Sequence, residues 1–367
     1  MNLAIFLGHW AAWAWAASWQ VMILAALVAL VLPLMRGVPA RFRYALLMLV
    51  FVKLMIAPSL TAPWSLGGVI APPDKATDSW VALFSDPLRA AHTLDDFDHT
   101  VGVTGNPNFW RALGIAETSA LTVVSVCFVL WSIGVGITGG SLCWNQHQLS
   151  RAVSGGRRVT AGPLLAELER CARELGVAAP RLILLANASG PFLCGFFRPT
   201  IVLPAELPGL VERDQLRAIL LHELAHYRRG DLLHCWFISV LQCLFWFHPV
   251  VWIAAEWLAD ERELCVDESL VTSRRVEALK YCRTILDVCE FSAGSVNSAV
   301  AFLGRGEQGI VERRIQNILH IPHLGPRHTC FLWAMVIVFG AAFIPMGVGH
   351  QPAQNPTPDS VTVQQQI

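Results

Sequence analysis

The sequence predicts a mainly α membrane protein: four transmembrane helices, with an α+β domain carried between the third and the fourth. Three observations lead there. Apolar residues make up 54% of the 367-residue chain and charged residues only 15%, against roughly 25% charged in ordinary soluble domains. Four apolar runs, residues 19–35, 44–60, 120–137 and 330–348, approach the roughly 20 residues that a helix needs to cross a bilayer, and Lys53 is their only charge. Between the last two runs the chain instead breaks into short helical and strand-like patterns separated by turns.

Taken in order, residues 1–61 form an N-terminal membrane region with two transmembrane helices. Trp10, Trp13, Trp15 and Trp19 cluster before the first apolar run, the pattern of an interfacial aromatic belt. A cleaved signal peptide is the rival reading. No Lys or Arg precedes Arg36, however, and the small residues 14–18 come before the main apolar run, so the segment is expected to remain as an anchor. The loop between the first two runs carries Arg36, Arg41 and Arg43 and no acid, which assigns it to the cytoplasm and the amino terminus to the outside. Residues 62–114, rich in Pro, Gly and Asp, are the expected extracytoplasmic loop, and residues 115–138 the third transmembrane helix. Arg151, Arg157 and Arg158 follow that helix, while Arg313, Arg314 and Arg327 precede the fourth at 328–348. Residues 139–327 are therefore expected in the cytoplasm. Residues 349–367, polar and containing Pro352, Pro356 and Pro358, read as a short disordered extracytoplasmic tail. All ten cysteines fall in spans or in the cytoplasmic region, which fits a reducing interior and argues against a disulfide framework.

Within the cytoplasmic region, residues 164–175 read as an amphipathic helix, 181–186 as a short strand, and 192–203 as a strand pair turning at Arg198-Pro199. Residues 211–229 contain no proline or glycine and read as a helix stopped by Gly230. This helix carries His222-Glu223-Leu224-Ala225-His226. Residues four apart share a helix face one turn from each other, so both imidazoles can bind one metal ion, and the geometry suits zinc. Glu223 follows the first ligand directly, where it can act as general base on water held by the ion, so the set reads as zinc-dependent hydrolysis. An accidental match to the motif arises in roughly one or two chains per hundred of this length, so context decides. Ile219, Leu220, Leu221, Leu224 and Ala225 indicate a mostly buried helix, where two His and a Glu would be costly as a mere polar face.

A hydrolytic zinc usually has three protein ligands. Residues 254–270 again read as helix, with Glu256, Asp260, Glu263 and Asp267 three or four apart on one face. The ordinary reading is a solvated acidic stripe. The functional reading gives one acid to the metal and another, a turn away, to an imidazole N–H. Spacing alone does not choose among the four. Residues 232–247, ended by His248-Pro249, suit a buried or membrane-skimming helix better than a span, and 292–298 read as a flexible loop.

His222 to His226, then Trp246-Phe247-His248-Pro249-Val250-Val251-Trp252, then Arg262-Glu263-Leu264-Cys265-Val266-Asp267 resemble the BlaR/MecR-type membrane metallopeptidases, the β-lactam-sensing antirepressors. Residues 191–204 are similar to the segment before the zinc helix in that family, Glu312 to Leu319 to its basic segment before the last span, and residues 18–20 and 41–46 to its amino-terminal membrane region. The resemblance covers roughly residues 17–345. It implies a gluzincin-like zinc metalloendopeptidase of the bacterial cytoplasmic membrane, with Zn2+ held by His222, His226 and Glu263, Glu223 as catalytic base, and Asp267 supporting a ligand from behind. It further implies a protein substrate such as a winged-helix transcriptional repressor. Receptors of the family carry a penicillin-binding domain after the last span. Here only residues 349–367 follow, so the expected signal enters through the 62–114 loop, the membrane or a separate sensor protein.

Extended substrates of zinc peptidases often pair with a sheet edge, which makes Phe192, Gly195 and Arg198 candidate substrate-binding residues, with a plain core hairpin as the alternative. His234 and His248 read as structural. Cys235 and Cys243 lack C-x-x-C spacing, as do Cys282 and Cys289, and read as small buried residues. A formal net charge of zero, with no phosphate loop and no basic-aromatic surface, argues against direct nucleic-acid binding. The competing functions are a housekeeping protease of membrane-protein quality control and a non-catalytic signalling scaffold in which zinc only holds the fold.

Overall fold

The computed structural model describes residues 3–56, 117–186, 188–295, 304–322 and 324–345. The expected 62–114 loop, the 349–367 tail and the far ends of the second and fourth apolar runs lie outside the described residues. The chain is mainly helical. It opens with α1 (Leu3–Val31), prolonged by a 3-10 turn at Leu32–Met35, followed by α2 (Ala40–Met55) and the 38-residue α3 (Glu117–Ser154). The last helix described is Pro326–Phe343. Among the described residues, three stretches are long and apolar enough to cross a membrane: Phe6–Met35, Thr122–Ser154 and Pro326–Phe343. Of the second apolar run, α2 is described over 16 residues, Ala40–Met55.

The chain divides into two compact units. The first comprises residues 1–27, 52–132 and 333–367. In it, Trp10 lies within α1 rather than ahead of it, and its ring meets Phe128 and Trp131 of α3 at 5.2 and 5.6 Å between centroids. Part of the tryptophan cluster is therefore helix packing rather than only an interfacial belt. Lys53 is buried and donates to the Ile344 carbonyl at 2.6 Å, just beyond the last helix, where the partial negative charge of a helix end favours a cation.

The second unit comprises residues 28–51 and 133–332. After α3 come β1 (Arg157–Arg158), α4 (Pro163–Leu175), β2 (Arg181–Leu185), β3 (Phe192–Cys194), β4 (Thr200–Pro204) and the single-turn α5 (Leu207–Leu210). The strands form one sheet in the order β1-β2-β4-β3, parallel between β2 and β4 and antiparallel elsewhere. All five residues of the interior strand β4 are buried, as a strand paired on both sides and covered by helices requires. The expected strand pair at 192–203 is β3 with β4, and the short β1 was unforeseen.

Helices complete the unit: α6 (Arg213–Arg229), α7 (Asp231–Leu244), α8 (Pro249–Thr272), α9 (Ala278–Ser295) and α10 (Gly304–Leu319). Helix α9 continues through Ser292 to Ser295, the first part of the expected flexible loop; residues 296–298 lie outside the described set. The core joins Leu168 of α4, Ile201 and Leu203 of β4, Leu220, Leu221 and Leu224 of α6, and Val266 of α8. Helix α6 starts at a capping box between Glu212 and Gln215. It ends at Gly230, whose φ of 74° is the left-handed conformation that favours glycine, and Asp231 opens α7 directly after it.

Carboxylates of α8 tie in α2 and α10. Glu261 accepts from Arg43 Nε at 2.8 Å and from Arg313, while Glu268 accepts from the Ala40 amide at 2.9 Å and from Asn317 at 3.0 Å. Arg43, counted above among the orienting charges, is thus buried and paired.

Candidate metal centre

His222 and His226 project from α6 one turn apart, and Glu263 reaches them from α8, which packs across α6. The two Nε2 atoms are 3.2 Å apart. Glu263 brings one carboxylate oxygen to 3.3 Å from His222 Nε2 and the other to 3.6 Å from His226 Nε2. A tetrahedral ion with bonds of about 2.0–2.1 Å separates neighbouring donors by about 3.3 Å. The three groups therefore stand already at the spacing such an ion needs, and they are the one such cluster among the described residues.

The far nitrogens fix which way the rings face. His226 Nδ1 lies 2.7 Å from Asp231 Oδ2. His222 Nδ1 lies 2.8 Å from the Tyr281 hydroxyl, which donates to Asp267 Oδ1 at 2.6 Å. With its proton spent on Asp267, that hydroxyl accepts from His222 Nδ1–H. Both imidazoles thus anchor Nδ1 on a partner behind them and turn Nε2 toward the third donor, the arrangement of metal-ligating histidines. Arg314 holds Asp267 with two bonds, at 2.7 and 2.9 Å.

Charge follows this geometry. Burial works against the His226 imidazolium, but the bonds to Asp231 and Glu263 prevail and raise its pKa to about 9. Burial likewise favours protonated Glu263, yet the two imidazoles hold its carboxyl well below the usual range. Burial opposes ionised Asp267 too, and the Arg314 guanidinium overcomes it, leaving a pKa of about 2. Glu223 differs: burial pushes its carboxyl up, as suits a group that must take and return a proton. A cavity of about 330 Å³ opens over these groups, lined by His222, Glu223, His226, Glu263, Tyr281 and Arg314, with Phe192 and Leu193 of β3 on its wall.

Of the residues predicted from sequence, His222, Glu223, His226, Glu263 and Phe192 converge on this cavity, and Asp267 sits directly behind His222. Gly195 and Arg198 are not part of its lining. Gly195 has a conformational task, since at φ 84° a Cβ would collide with the Arg198 carbonyl, so it forms the turn from β3 to β4. Glu256 and Asp260 stay apart from the cluster, and Asp260 pairs with Arg313 instead. Tyr281 and Asp231 were missed. No local pattern marks a tyrosine fourteen residues beyond its acid, whereas an acid directly after the helix-stopping glycine is a signal that could have been read.

Two imidazoles and a carboxylate on crossed buried helices, with a further carboxylate beside them in a cleft, are a donor set that could hold a metal ion. Residues 12–318 match the family described as BlaR1 peptidase M56, and the chain belongs to that family. It is 24% identical over 243 residues to the regulatory protein BlaR1 of Bacillus licheniformis, covering 65% of this chain and 40% of that protein. It is also 25% identical over 134 residues to the methicillin resistance mecR1 protein of Staphylococcus aureus, covering 36% of this chain and 23% of the relative. The matched part thus spans less than half the length of either relative.

Proposed function

We propose that this chain is a zinc-dependent endopeptidase of the bacterial cytoplasmic membrane, acting at the cytoplasmic face on a regulatory protein. The observation that carries the reading is the three-donor cluster at tetrahedral spacing, with both imidazoles turned by partners behind them. In this reading His222, His226 and Glu263 hold the ion, and Asp267 supports His222 through Tyr281. Bound zinc supplies Lewis-acid polarisation and lowers the pKa of water. The chain's own groups do the rest. Glu223, buried and raised in pKa, accepts a proton from the attacking water and passes it to the leaving amine. Strand β3, which among the described residues pairs only with β4, offers an open edge beside the cavity where an extended peptide can add as a further strand, with Phe192 against its side chains.

A regulatory protein and a methicillin resistance protein among the relatives support a regulatory substrate, and a repressor or relay protein is the substrate proposed. Glu223→Gln decides the chemistry. Zinc content near that of the wild type with cleavage of candidate substrates abolished is the expected result. Retained cleavage would remove Glu223 from its role, and unchanged biological output without cleavage would favour a zinc-held scaffold. Broad loss of membrane-protein turnover on deletion of the gene would favour quality control over signalling.

A further inference from the structure

The β3–β4 turn is built in a way that neither the metal centre nor the core requires. Phe197 at its tip is 90% exposed and Phe196 is 41% exposed, two adjacent phenylalanines packed edge to face at 4.9 Å. Phe196 also meets Trp236 of α7, at 6.1 Å between ring centroids. On α7, Leu233 and Val240 are exposed and lie three and four residues to either side of Trp236, so they share its face. The result is one apolar surface running from the turn along α7. A contiguous exposed patch of aromatic and aliphatic side chains is costly in water and marks a place where something apolar sits.

Helix α3 indicates what that is. Gly134 of α3 lies so close to the Trp246 indole that a Cβ would overlap the ring, and Thr138 Oγ1 lies 3.5 Å from the Cys243 carbonyl oxygen. Advancing from Cys243 to Trp246 thus means moving back along α3 from Thr138 to Gly134, into the apolar run at 120–137. Trp236 precedes Cys243 by seven residues of helix, about 10 Å. That brings it level with the stretch of α3 near Trp144, where the apolar sequence gives way to Asn145-Gln146-His147-Gln148. This is the depth at which a span leaves hydrocarbon for headgroups, and where aromatic side chains are favoured.

We infer that Phe196 and Phe197, with the Leu233–Val240 face of α7, rest in the headgroup and acyl boundary of the bilayer. The inference rests on α3 being a membrane span. Arg198, exposed next to the phenylalanines, suits the same depth, its guanidinium directed at lipid phosphate. Because β3 leads directly into this turn, the open strand edge beside the cavity lies against the membrane surface. A substrate would be engaged there, close to the lipid, rather than from open solution.

The full chain, reconstituted in nanodiscs of phosphatidylethanolamine and phosphatidylglycerol, tests this with the photo-crosslinker p-benzoylphenylalanine placed at position 197. Val129, exposed on α3, is the span control, and Lys280, charged and exposed, is the water control. Mass spectrometry should find lipid adducts at 197 approaching those at 129 and several-fold above those at 280. Lipid adducts at 129 but only background at 197 would overturn the inference, as would adducts at 197 solely to a second copy of the chain. Lipid adducts at neither 129 nor 197 would sink the span reading and the inference with it.

Discussion

Tyr281 shows how a single hydroxyl can organise a candidate metal centre. It stands between His222 and Asp267, accepting from one and donating to the other, and burial pushes its phenol well above its ordinary pKa, so it remains a donor. Tyr281→Phe keeps the ring and removes that bridge, leaving His222 Nδ1 and Asp267 without a shared partner. Loss of such support lowers metal affinity by on the order of 10–100-fold. A chelator-competition titration should register that loss while the melting temperature stays close to that of the wild type; unchanged affinity would deny Tyr281 its role. His222, Glu223 and His226 were legible in sequence because a helix turns a four-residue interval into proximity. Tyr281 and Arg314 were not, because their approach to Asp267 depends on how α9 and α10 pack on α8.

Helices were read well wherever their signals were local. Helix α6 ends at the glycine that the sequence marks, and α8 covers the expected 254–270 but starts earlier, at Pro249, whose fixed φ suits a first helical turn. Three features escaped. Strand β1 is two arginines whose only strand character is pairing with Ile183 and Leu184. Helix α1 begins well ahead of its main apolar run, and α9 continues into a small polar stretch that composition reads as loop. The contact of α3 with the α7–α8 connection carries a prediction of its own. Gly134→Ala puts a methyl group where the Trp246 ring lies, and overpacking of this kind costs about 1–3 kcal/mol. Thermal unfolding in detergent should show a clearly lowered midpoint, whereas Gly136→Ala on the same helix, where among the described residues nothing beyond the local helix backbone lies within 4 Å of the added carbon, should be nearly neutral. Equal effects from both would mean that helix propensity, not the indole, sets the response.

Across the molecule, buried acids of α8 join pieces of chain far apart in sequence, and acidity should weaken that joining. Asp267 has a folded pKa of about 2 against an ordinary 3.8, since Arg314 outweighs the effect of burial. A depressed acid stabilises the fold fully above its unfolded value and loses that contribution as pH falls through the folded one. The window is therefore from about pH 4 down to about pH 2, and the contribution about 2 kcal/mol. Denaturation at successive pH values, with chelator present, should show the wild type losing more stability across that window than Asp267→Asn; parallel curves would refute the coupling. Composition and apolar runs made the membrane character legible, whereas the joining of α2 to α8 through Arg43 was hidden, since a buried arginine and an orienting surface arginine look alike in sequence. Chain length, finally, is not equally negotiable along the molecule. Gly230, left-handed, closes α6 and Asp231 opens α7 directly after it, so a single residue sets the course of the chain from one helix to the next. One inserted residue there would redirect α7 and carry Asp231 away from His226. Natural variants of this chain should therefore gain or lose residues in their surface turns while the spacing from His226 to Asp231 stays constant.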